Sequence, residues 1–278
     1  MNSIPDLQEI LAKLCPAACE AGRIIMKYYE MDWINSRIKH DGTPVTDADI
    51  ESEKMIISFL KKISPDIPII SEEQSNVQSR MQEFEDGIGS DTRTFWLVDP
   101  LDGTETFMRK KDRFTINIGL VQDTQPVLGV VYFPARDLLY SGISGLSAQI
   151  QPNVSRRLKG RPRQIMTSSI SKGDITVALI DSRSSGVSNL DSMLRKLKAS
   201  KRVEDSNIHK LCGVATGEID VSTIMKSFEW DTAAGHAILK GAGGNLIESN
   251  GRELHYGKPE FKNPNLIAHG RVFEESSQ

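Results

Sequence analysis

The stretch FWLVDPLDGTETF, Phe95–Phe107, decides how the rest of this sequence is interpreted. It opens on four apolar residues that predict a buried strand, and that strand ends on two aspartates three positions apart, Asp99 and Asp102. A buried carboxylate without a partner costs several kcal/mol, so the pair requires either a bound cation or a dense hydrogen-bonded turn. Gly103 permits an unusual backbone conformation or the close approach of an anion, and Thr104 places a hydroxyl beside the carboxylates.

Several kinds of chemistry use aspartates in such a position. Phosphatases of the haloacid dehalogenase type need the spacing D-x-D with one aspartate as nucleophile, whereas the spacing here is D-x-x-D. A calcium loop needs alternating oxygen donors over about a dozen positions, which the residues after Asp102 do not supply. The pattern therefore favours a metal site in which Asp99 and Asp102 both bind ions and the backbone of Gly103 and Thr104 receives a phosphate.

The composition is that of a soluble globular protein, with 278 residues of which 38% are hydrophobic and 26% charged. A formal net charge of −3 and the lack of a Lys/Arg stripe argue against binding of nucleic acid polymers. Cys15, Cys19 and Cys212 have no paired spacing and favour a reducing compartment. Because the sequence shows neither a signal peptide nor a membrane-spanning run, we expect a cytoplasmic protein. Peripheral association with the inner membrane and a homodimeric state both stay open.

The first half of the chain carries helical and strand patterns. Apolar residues at helical spacing predict a helix over the first thirty residues, kinked or broken at Pro16, and a second helix through Ile56–Ile63. Residues 74–94 are polar and predict a surface excursion. The predicted strands are Pro65–Glu73, Phe114–Val121 and Val127–Pro134. The last two of these strands predict a hairpin.

The second half alternates strand and helix patterns, which argues for α/β layers. A low content of core residues places a change of subdomain within residues 135–175. The predicted elements are strands at Thr176–Ile180 and Val221–Met225, and helices at Leu190–Leu197, Leu211–Gly217 and Asp231–Lys240. Near the C-terminus, Asn250–Gly251 predicts a hairpin turn.

Acidic residues recur where predicted strands end or predicted helices begin. They are Asp47, Asp49, Glu72, Glu73, Asp99, Asp102 and Asp231. Such ends form clefts in layered α/β proteins, and converging carboxylates suit Mg²⁺, which prefers hard oxygen ligands together with substrate phosphate. Taken singly, an aspartate near a helix start is more often a cap, and paired glutamates after a strand are more often solvated surface.

Four motifs resemble those of the inositol monophosphatase superfamily. WLVDPLDGTETF looks like its W-x-x-D-P-[IL]-D-G-T-x-x-F signature, and EWDTAAGHAILKGAGG, Glu229–Gly244, is similar to its second signature, W-D-x-A-A-G. SEE at Ser71–Glu73 and PVTDAD at Pro44–Asp49 match two further landmarks in the family's order. On these matches, which span residues 44–244, the chain is identified as a member of the superfamily.

Within the superfamily the chain looks most like the bacterial 3'(2'),5'-bisphosphate nucleotidases. The resemblance rests on SEE, TPVT, the GHA after WDTAA, and FKNPN at Phe261–Asn265. Glu105 stands where that branch has lysine, and Asn207–His209 replaces its Ser-Ser pattern, whereas Lys210 and Cys212 carry over. The two departures concern the choice of substrate more than the type of reaction.

The resemblance implies a layered αβαβα, sugar-phosphatase-like fold of the α/β (α+β) class. An N-terminal α+β subdomain, residues 1–140, is expected to carry most of the metal ligands. A C-terminal α/β subdomain, residues 141–278, is expected to carry Asp231 and substrate contacts, with the cleft between the two.

The resemblance also implies roles for individual residues. The implied metal ligands are Glu72, Asp99, the Leu101 carbonyl, Asp102 and Asp231. The implied catalytic residues are Asp49, Thr104 and Glu72. The implied substrate contacts are Glu72, Leu101, Asp102, Gly103, Thr104, Lys210 and Asp231. Thr104 would orient a water through a hydrogen bond to Asp49, or alternatively to Asp47. Lys210 would meet a second substrate phosphate, with a plain solvated lysine as the alternative, and His236 would serve helix packing.

The implied enzyme is a Mg²⁺-dependent phosphatase with two or three ions, in which a metal-bound water attacks phosphorus directly. Its implied substrates are adenosine 3',5'-bisphosphate, which would yield AMP and phosphate, and the sulfated analogue. Inositol monophosphate or another sugar phosphate is the alternative, supported by Glu105 and the altered segment 206–210. A non-enzymatic binder of metal and nucleotide is a remote alternative, because it predicts the loss of a ligand or of Thr104, and none is missing. Sensitivity to lithium is a further expectation.

Overall fold

The structure is a computed structural model that describes residues 6–39, 42–73, 94–155, 160–170, 178–179, 202–203 and 207–272. The helix predicted at Leu190–Leu197 lies outside these ranges, as does the predicted surface excursion except for Thr94. No helix of the described ranges is long and apolar enough to cross a lipid bilayer.

The predicted elements that fall within the described ranges occur in the predicted order, among further strands that the sequence patterns did not predict. The helices are α1 (Leu7–Tyr29), α2 (Asp47–Ile63), α3 (Thr104–Met108), α4 (Asn207–Ala215) and α5 (Ala233–Gly241). The earlier strands are β1 (Ser36–Ile38), β2 (Pro44–Thr46), β3 (Ile69–Ser71), β4 (Thr94–Asp102), β5 (Thr115–Gln122), β6 (Gln125–Phe133), β7 (Leu138–Ile143) and β8 (Ser147–Pro152). The later strands are β9 (Arg163–Gln164), β10 (Ser169–Ile170), β11 (Ala178–Leu179), β12 (Arg202–Val203), β13 (Val221–Ile224), β14 (Asn245–Glu248), β15 (Leu266–His269) and β16 (Arg271–Val272). These bounds confirm the predicted helices α1 and α2 and the hairpin of β5 and β6.

Helix α1 is amphipathic and buries one stripe of apolar side chains. Asp6 caps its start, where the carboxylate accepts a hydrogen bond from the backbone N–H of Gln8 at 2.9 Å. Leu14 and Ile25 of the apolar stripe are fully buried. Pro16 lies inside the helix, which continues past it, so the break that was one predicted outcome does not occur. Burial of the apolar stripe on both sides of Pro16 offsets the hydrogen bond that proline cannot donate.

The larger sheet, sheet A, has the strand order β3-β4-β5-β6-β7-β8-β9. Strand β3 pairs in parallel with β4, and the other neighbouring pairs are antiparallel. Because parallel strands end at the same edge of a sheet, residues that follow β3 lie beside the end of β4. The register of β4 against β5 shifts between Asp99 and Asp102, which bends β4 at its end.

The smaller sheet, sheet B, has the strand order β12-β11-β13-β15-β14. The first three strands are parallel, and β15 runs antiparallel to both of its neighbours. The change from sheet A to sheet B falls between residues 164 and 178. The boundary predicted between residues 140 and 141 falls inside β7, whereas the change of sheet overlaps the range 135–175 that was predicted for a change of subdomain. The sequence of residues 141–164 is poor in apolar residues, but backbone pairing of β7 with β8 and of β8 with β9 keeps these strands in sheet A.

Helices separate the two sheets. Helices α1 and α2 pack on one face of sheet A, and α5 packs on the opposite face, where it also contacts α4. Both α4 and α5 contact sheet B on their far side. The described layers are therefore helix, sheet, helix, sheet, which confirms a layered mixed α/β fold. The fifth, helical layer of the predicted αβαβα order is not among the elements of the described ranges and stays a prediction.

Helix α5 approaches sheet A at glycines of β5 and β6. A Cβ on Gly129 would lie 2.1 Å from the carbonyl oxygen of Ala234, and a Cβ on Gly119 would lie 2.9 Å from the backbone nitrogen of Ala234. Side chains at these positions would push the helix away from the sheet. The glycines thus let the first turn of α5 lie against sheet A. This close packing brings Asp231, which lies just before the helix, near the end of β4.

We expect Gly129→Ala to lower the free energy of unfolding by about 3 kcal/mol, because the new methyl group meets backbone atoms that cannot move independently. Denaturant unfolding followed by circular dichroism measures this loss. Gly145→Ala is the control, since Gly145, unlike Gly129, has open space around its Cβ position, and its only obstacle to a side chain is a left-handed backbone with φ of 70°. That variant is expected to lose only about 1 kcal/mol. Equal losses in the two variants would contradict the close packing of α5.

Candidate active site

The end of β4 forms the floor of the candidate site. Asp99 is buried, and its Oδ1 accepts a hydrogen bond from the backbone N–H of Leu101 at 3.1 Å. Ser52 of α2 donates its hydroxyl to the carbonyl oxygen of Pro100 at 3.0 Å. The turn after the strand is therefore held both by its own aspartate and by the neighbouring helix.

Gly103 has a left-handed backbone, with φ of 89°, directly before α3. A Cβ at this position would lie 2.9 Å from the carbonyl oxygen of Arg113 and 2.9 Å from Oγ1 of Thr106. Glycine is therefore required both for the backbone conformation and for the lack of a side chain. The tight turn places Thr104 at the first position of α3, on the side of α2.

Asp49 is the partner of Thr104. The Thr104 hydroxyl donates to Oδ1 of Asp49 at 3.0 Å. The other oxygen of Asp49 accepts the backbone N–H of Thr46 at 2.8 Å and the Thr46 hydroxyl. This is a capping box at the start of α2, which fixes the direction of the Asp49 carboxylate. Burial raises the pKa of Asp49, and the hydrogen bonds from Thr46 and Thr104 oppose that rise.

Asp47, the alternative partner of Thr104, is bonded elsewhere. Its carboxylate accepts hydrogen bonds from the side chain of Asn35 at 2.9 Å and from the guanidinium of Arg37 at 3.0 Å. These two hydrogen bonds lower the pKa of Asp47. Of the two predicted candidates, Asp49 is thus the residue that contacts the Thr104 hydroxyl.

Glu72 reaches the site because β3 and β4 are parallel. The backbone N–H of Glu72 donates to the carbonyl oxygen of Val98 at 3.1 Å, one step beyond the last paired residue of β3. Glu72 therefore follows its strand at the same edge of sheet A as Asp99. The sequence placed the two acidic residues at strand ends, and the parallel pairing makes them neighbours.

Asp231 completes a group of three carboxylates with Glu72 and Asp99. One carboxylate oxygen of each residue lies within 4.8 Å of the others. Oδ2 of Asp231 also accepts the backbone N–H of Phe228 at 2.7 Å, which orients the carboxylate. Burial raises the pKa of Asp99 and of Asp231 well above the usual range, and the charges of the neighbouring carboxylates raise it further. Hard oxygen donors that repel one another in a buried site suit a divalent cation such as Mg²⁺.

Asp102 and Leu101 lie beside this carboxylate group. Burial, followed by the charge of Glu72, raises the pKa of Asp102 to about 6. The Leu101 carbonyl oxygen is 3.3 Å from the hydroxyl of Thr104, so it lies on the side of the turn that faces the site. Their metal ligation stays a prediction.

Lys39 is a charged neighbour of the site that the sequence did not reveal. Its Nζ lies 2.9 Å from Oε1 of Glu72 and 2.6 Å from Oε1 of Glu73. Lys39 follows β1, and the pairing of β1 with β2 carries it to the strand ends of sheet A. The only signal in the sequence is a lysine in the polar loop before PVTDAD, which is a common feature of solvated loops.

Lys210 and His236 are both buried. The Nζ of Lys210 donates to the carbonyl oxygen of Thr223 at 3.0 Å, so the alternative of a plain solvated lysine is wrong, and contact with a substrate phosphate stays a prediction. The ring nitrogens of His236 lie 3.2 Å from the hydroxyl of Tyr256 and 3.1 Å from Oδ1 of Asn245. Burial lowers the pKa of His236 to about 3, so its imidazole is neutral near pH 7, as a packing role requires.

The residues that depart from the nucleotidase pattern lie in different environments, one exposed and one buried. Glu105 is exposed on α3, and its carboxylate lies 3.5 Å from the guanidinium of Arg109 one turn later. His209 is buried in α4, where its ring stacks on Phe133 with 4.6 Å between ring centroids. The charge of Glu105 is therefore partly neutralised within its own helix.

Comparison with known proteins extends the similarity over nearly the whole chain. Residues 6–278 match the inositol monophosphatase family. The chain is 37% identical over 252 residues to the 3'(2'),5'-bisphosphate nucleotidase CysQ of Buchnera aphidicola, covering 90% of this chain and 88% of the relative. It is 31% identical over 261 residues to CysQ of Escherichia coli (strain K12), covering 92% of this chain and 97% of the relative. The crystal structure of CysQ from Bacteroides thetaiotaomicron, a bacterial member of that family, superposes with a TM-score of 0.74 at 29% identity, covering 95% of this chain and 98% of the other.

We expect Asp99→Asn to separate carboxylate repulsion from metal binding. Without metal, the variant should be more stable than the wild type by about 1 kcal/mol, because one of the mutually repelling buried charges is removed. We expect Mg²⁺ to raise the melting temperature of the wild type, and in the variant this rise should be smaller by at least about half, because ligand-linked stabilisation follows affinity. Thermal unfolding in chelator and in Mg²⁺ measures both effects. Asp112→Asn, at an exposed aspartate bonded to Arg136, is the control. A wild-type response to Mg²⁺ in Asp99→Asn would contradict the metal site.

Proposed function

Because the chain belongs to the inositol monophosphatase family, we propose that it is a Mg²⁺-dependent phosphatase acting on adenosine 3',5'-bisphosphate. The reaction removes the 3'-phosphate and leaves AMP and inorganic phosphate, and the sulfated analogue is attacked at the same position. The substrate follows from the two CysQ relatives, which are 37% and 31% identical over most of the chain. The observation that carries the proposal is the group of three carboxylates beside the hydrogen-bonded pair of Thr104 and Asp49.

The metal-holding residues are proposed to be the carboxylates of Glu72, Asp99 and Asp231, with Asp102 and the Leu101 carbonyl as further ligands. The donor set supports Mg²⁺, since all of these atoms are hard oxygens. When bound, two or three Mg²⁺ ions neutralise charge on the phosphate and lower the pKa of a water molecule. The carboxylates, which are held at fixed positions by strand ends and by the turn before α5, would keep the phosphorus in line with the attacking water.

Thr104 and Asp49 are the proposed proton path. Because the Thr104 hydroxyl donates to Asp49 at 3.0 Å, its oxygen can accept a hydrogen bond from the attacking water. As the water oxygen attacks phosphorus and the bond from phosphorus to the ribose 3'-oxygen breaks, the water proton passes to Thr104, the Thr104 proton passes to Asp49, and the departing 3'-oxygen takes up a proton from solvent water. The two donors from Thr46 keep the Asp49 carboxylate in its receiving orientation.

Gly103 and Thr104 are the proposed backbone donors to the phosphate. The left-handed backbone of Gly103 turns the chain sharply at the end of β4 and starts α3 there. Amide groups in such a turn point toward an anion and replace part of its hydration. They would bind the transferring phosphate without adding a charged side chain to a region that already holds four acidic residues, Glu72, Asp99, Asp102 and Asp231.

We expect the value of kcat/KM for adenosine 3',5'-bisphosphate to exceed that for inositol 1-phosphate and fructose 1,6-bisphosphate by more than about tenfold, which corresponds to about 1.4 kcal/mol. Phosphate release across this panel, with and without Mg²⁺, measures the ratio. Activity that ranks inositol 1-phosphate first would support the sugar-phosphate alternative raised by Glu105. No turnover of any of the three with Mg²⁺ would overturn the proposed function.

We expect Asp49→Asn to lower kcat by about 10²- to 10⁴-fold with little change in KM, because the final proton acceptor is lost while phosphate binding is retained. Asp47→Asn, two residues earlier in the same helix, is the matched control and should keep its activity. Steady-state kinetics on both variants compare the two aspartates directly. A larger loss in Asp47→Asn than in Asp49→Asn would reverse the assignment.

A further inference from the structure

We propose that Glu229 is a positioning residue for Asp231, and that Glu229 paired with Lys258 sets the affinity of the site for divalent metal ions. This inference rests on the metal site of the proposed function, but it concerns residues outside the carboxylate group. Glu229 lies two positions before Asp231, and its side chain is fully buried.

The carboxylate of Glu229 is held by the loop that follows β14. Its Oε2 accepts the backbone N–H of Gly257 at 2.7 Å, and its Oε1 accepts the backbone N–H of Lys258 at 2.9 Å. The ammonium of Lys258 lies 2.7 Å from the same Oε1. Two backbone donors and one cation therefore converge on one buried carboxylate and fix it in a single orientation.

The backbone of Glu229 is tied at the same point. Its N–H donates to the carbonyl oxygen of Phe261 at 2.7 Å, and its own carbonyl oxygen accepts the N–H of Ala233 at 2.9 Å, the first residue of α5. Between these two anchors lies Asp231, whose carboxylate accepts the N–H of Phe228. A shift of Glu229 would therefore move the turn that aims Asp231 at the metal site.

Lys258 is placed to neutralise Glu229. Its ammonium also donates to the carbonyl oxygen of His255 at 2.6 Å and lies 5.3 Å from the ring centroid of Tyr256. Without that ammonium, the buried negative charge of Glu229 would have no compensating cation. Glu229 lies two residues from Asp231, whose carboxylate is already close to other carboxylates. When one member of a buried ion pair is lost, the charge of the other is left in an environment of low dielectric constant. The turn at Glu229 would then have to move so that water could solvate the carboxylate.

Stability alone does not explain the pair, because a buried ion pair is often no more stabilising than apolar residues of similar size. The same turn has a separate, uncharged anchor in Asn263, whose side-chain nitrogen lies 2.8 Å from the carbonyl oxygen of Phe228 and 2.9 Å from Oγ1 of Thr232. What the ion pair adds is a fixed position for Asp231. Mg²⁺ requires ligands at about 2.0–2.1 Å in near-octahedral geometry, so small displacements of one ligand cost affinity.

The test measures binding of Mn²⁺, used as a paramagnetic probe, by the electron spin resonance of the free ion. We expect Lys258→Met and Glu229→Gln to weaken Mn²⁺ affinity by about tenfold or more, as replacement of residues that orient metal ligands does elsewhere. Lys258→Arg, which keeps the cation, should restore affinity to within about threefold of the wild type. Lys262→Met is the matched control in the same segment, since Lys262 pairs with exposed Glu260. If Lys258→Met does not fold, Lys258→Gln takes its place with the same expectation.

Thermal unfolding in chelator is measured on each variant, because a purely structural role would lower the melting temperature without changing the affinity of the folded protein. Wild-type Mn²⁺ affinity in folded Lys258→Met and Glu229→Gln would overturn the positioning role and leave the proposed function intact. Failure of the wild type to bind Mn²⁺ would overturn both. Equal weakening in Lys262→Met would assign the effect to the segment as a whole and also overturn the positioning role.

Discussion

Electrostatic repulsion among clustered carboxylates is the constraint on which the rest of this structure depends. Glu72, Asp99 and Asp231 bring their oxygens within 4.8 Å of one another, with Asp99 buried and the other two partly buried. Each pair of like charges at such a distance costs on the order of 3 kcal/mol at an effective dielectric of about 20. The fold must hold these carboxylates together despite their repulsion. A bound cation would relieve that repulsion, and this relief would favour cation binding. The parallel pairing of β3 with β4, the bulge at the end of β4 and the glycines beneath α5 all act to this end.

The local part of the site could be predicted from sequence because it is contained in short segments. The turn at Asp99–Thr104 follows from a strand pattern that ends on Asp-Pro and Gly-Thr, and the structure has that turn with a left-handed Gly103. The choice between Asp47 and Asp49 was also present in the sequence. Thr46 and Asp49 have the spacing of a capping box, in which the third helical residue turns back toward the cap. That geometry directs Asp49, and not Asp47, to the inside of the turn.

The rest of the site depends on contacts between segments that are distant in the chain, and a single sequence carries no local signal for such contacts. Lys39 reaches Glu72 only because of the register of β1 against β2, and Glu229 meets Lys258 only because a loop folds back across the start of α5. The extent of sheet A beyond residue 140 lacks a local signal for a related reason. Strands β8 and β9 are held by backbone hydrogen bonds, which a segment rich in Ser, Gln and Arg can make as well as an apolar one.

The tether between Glu229 and the segment 257–261 has a consequence for how the protein is made. The three carboxylates come from residues 72, 99 and 231, and the turn that carries the last of them is hydrogen-bonded through Glu229 to a segment that lies a further 26 to 30 positions along the chain. In a chain that has emerged from the ribosome only as far as α5, Glu229 therefore lacks its hydrogen-bond partners in residues 257–261. With the proposed positioning of Asp231 by Glu229, the cation site would be completed only after synthesis has passed sheet A, α5 and the returning loop.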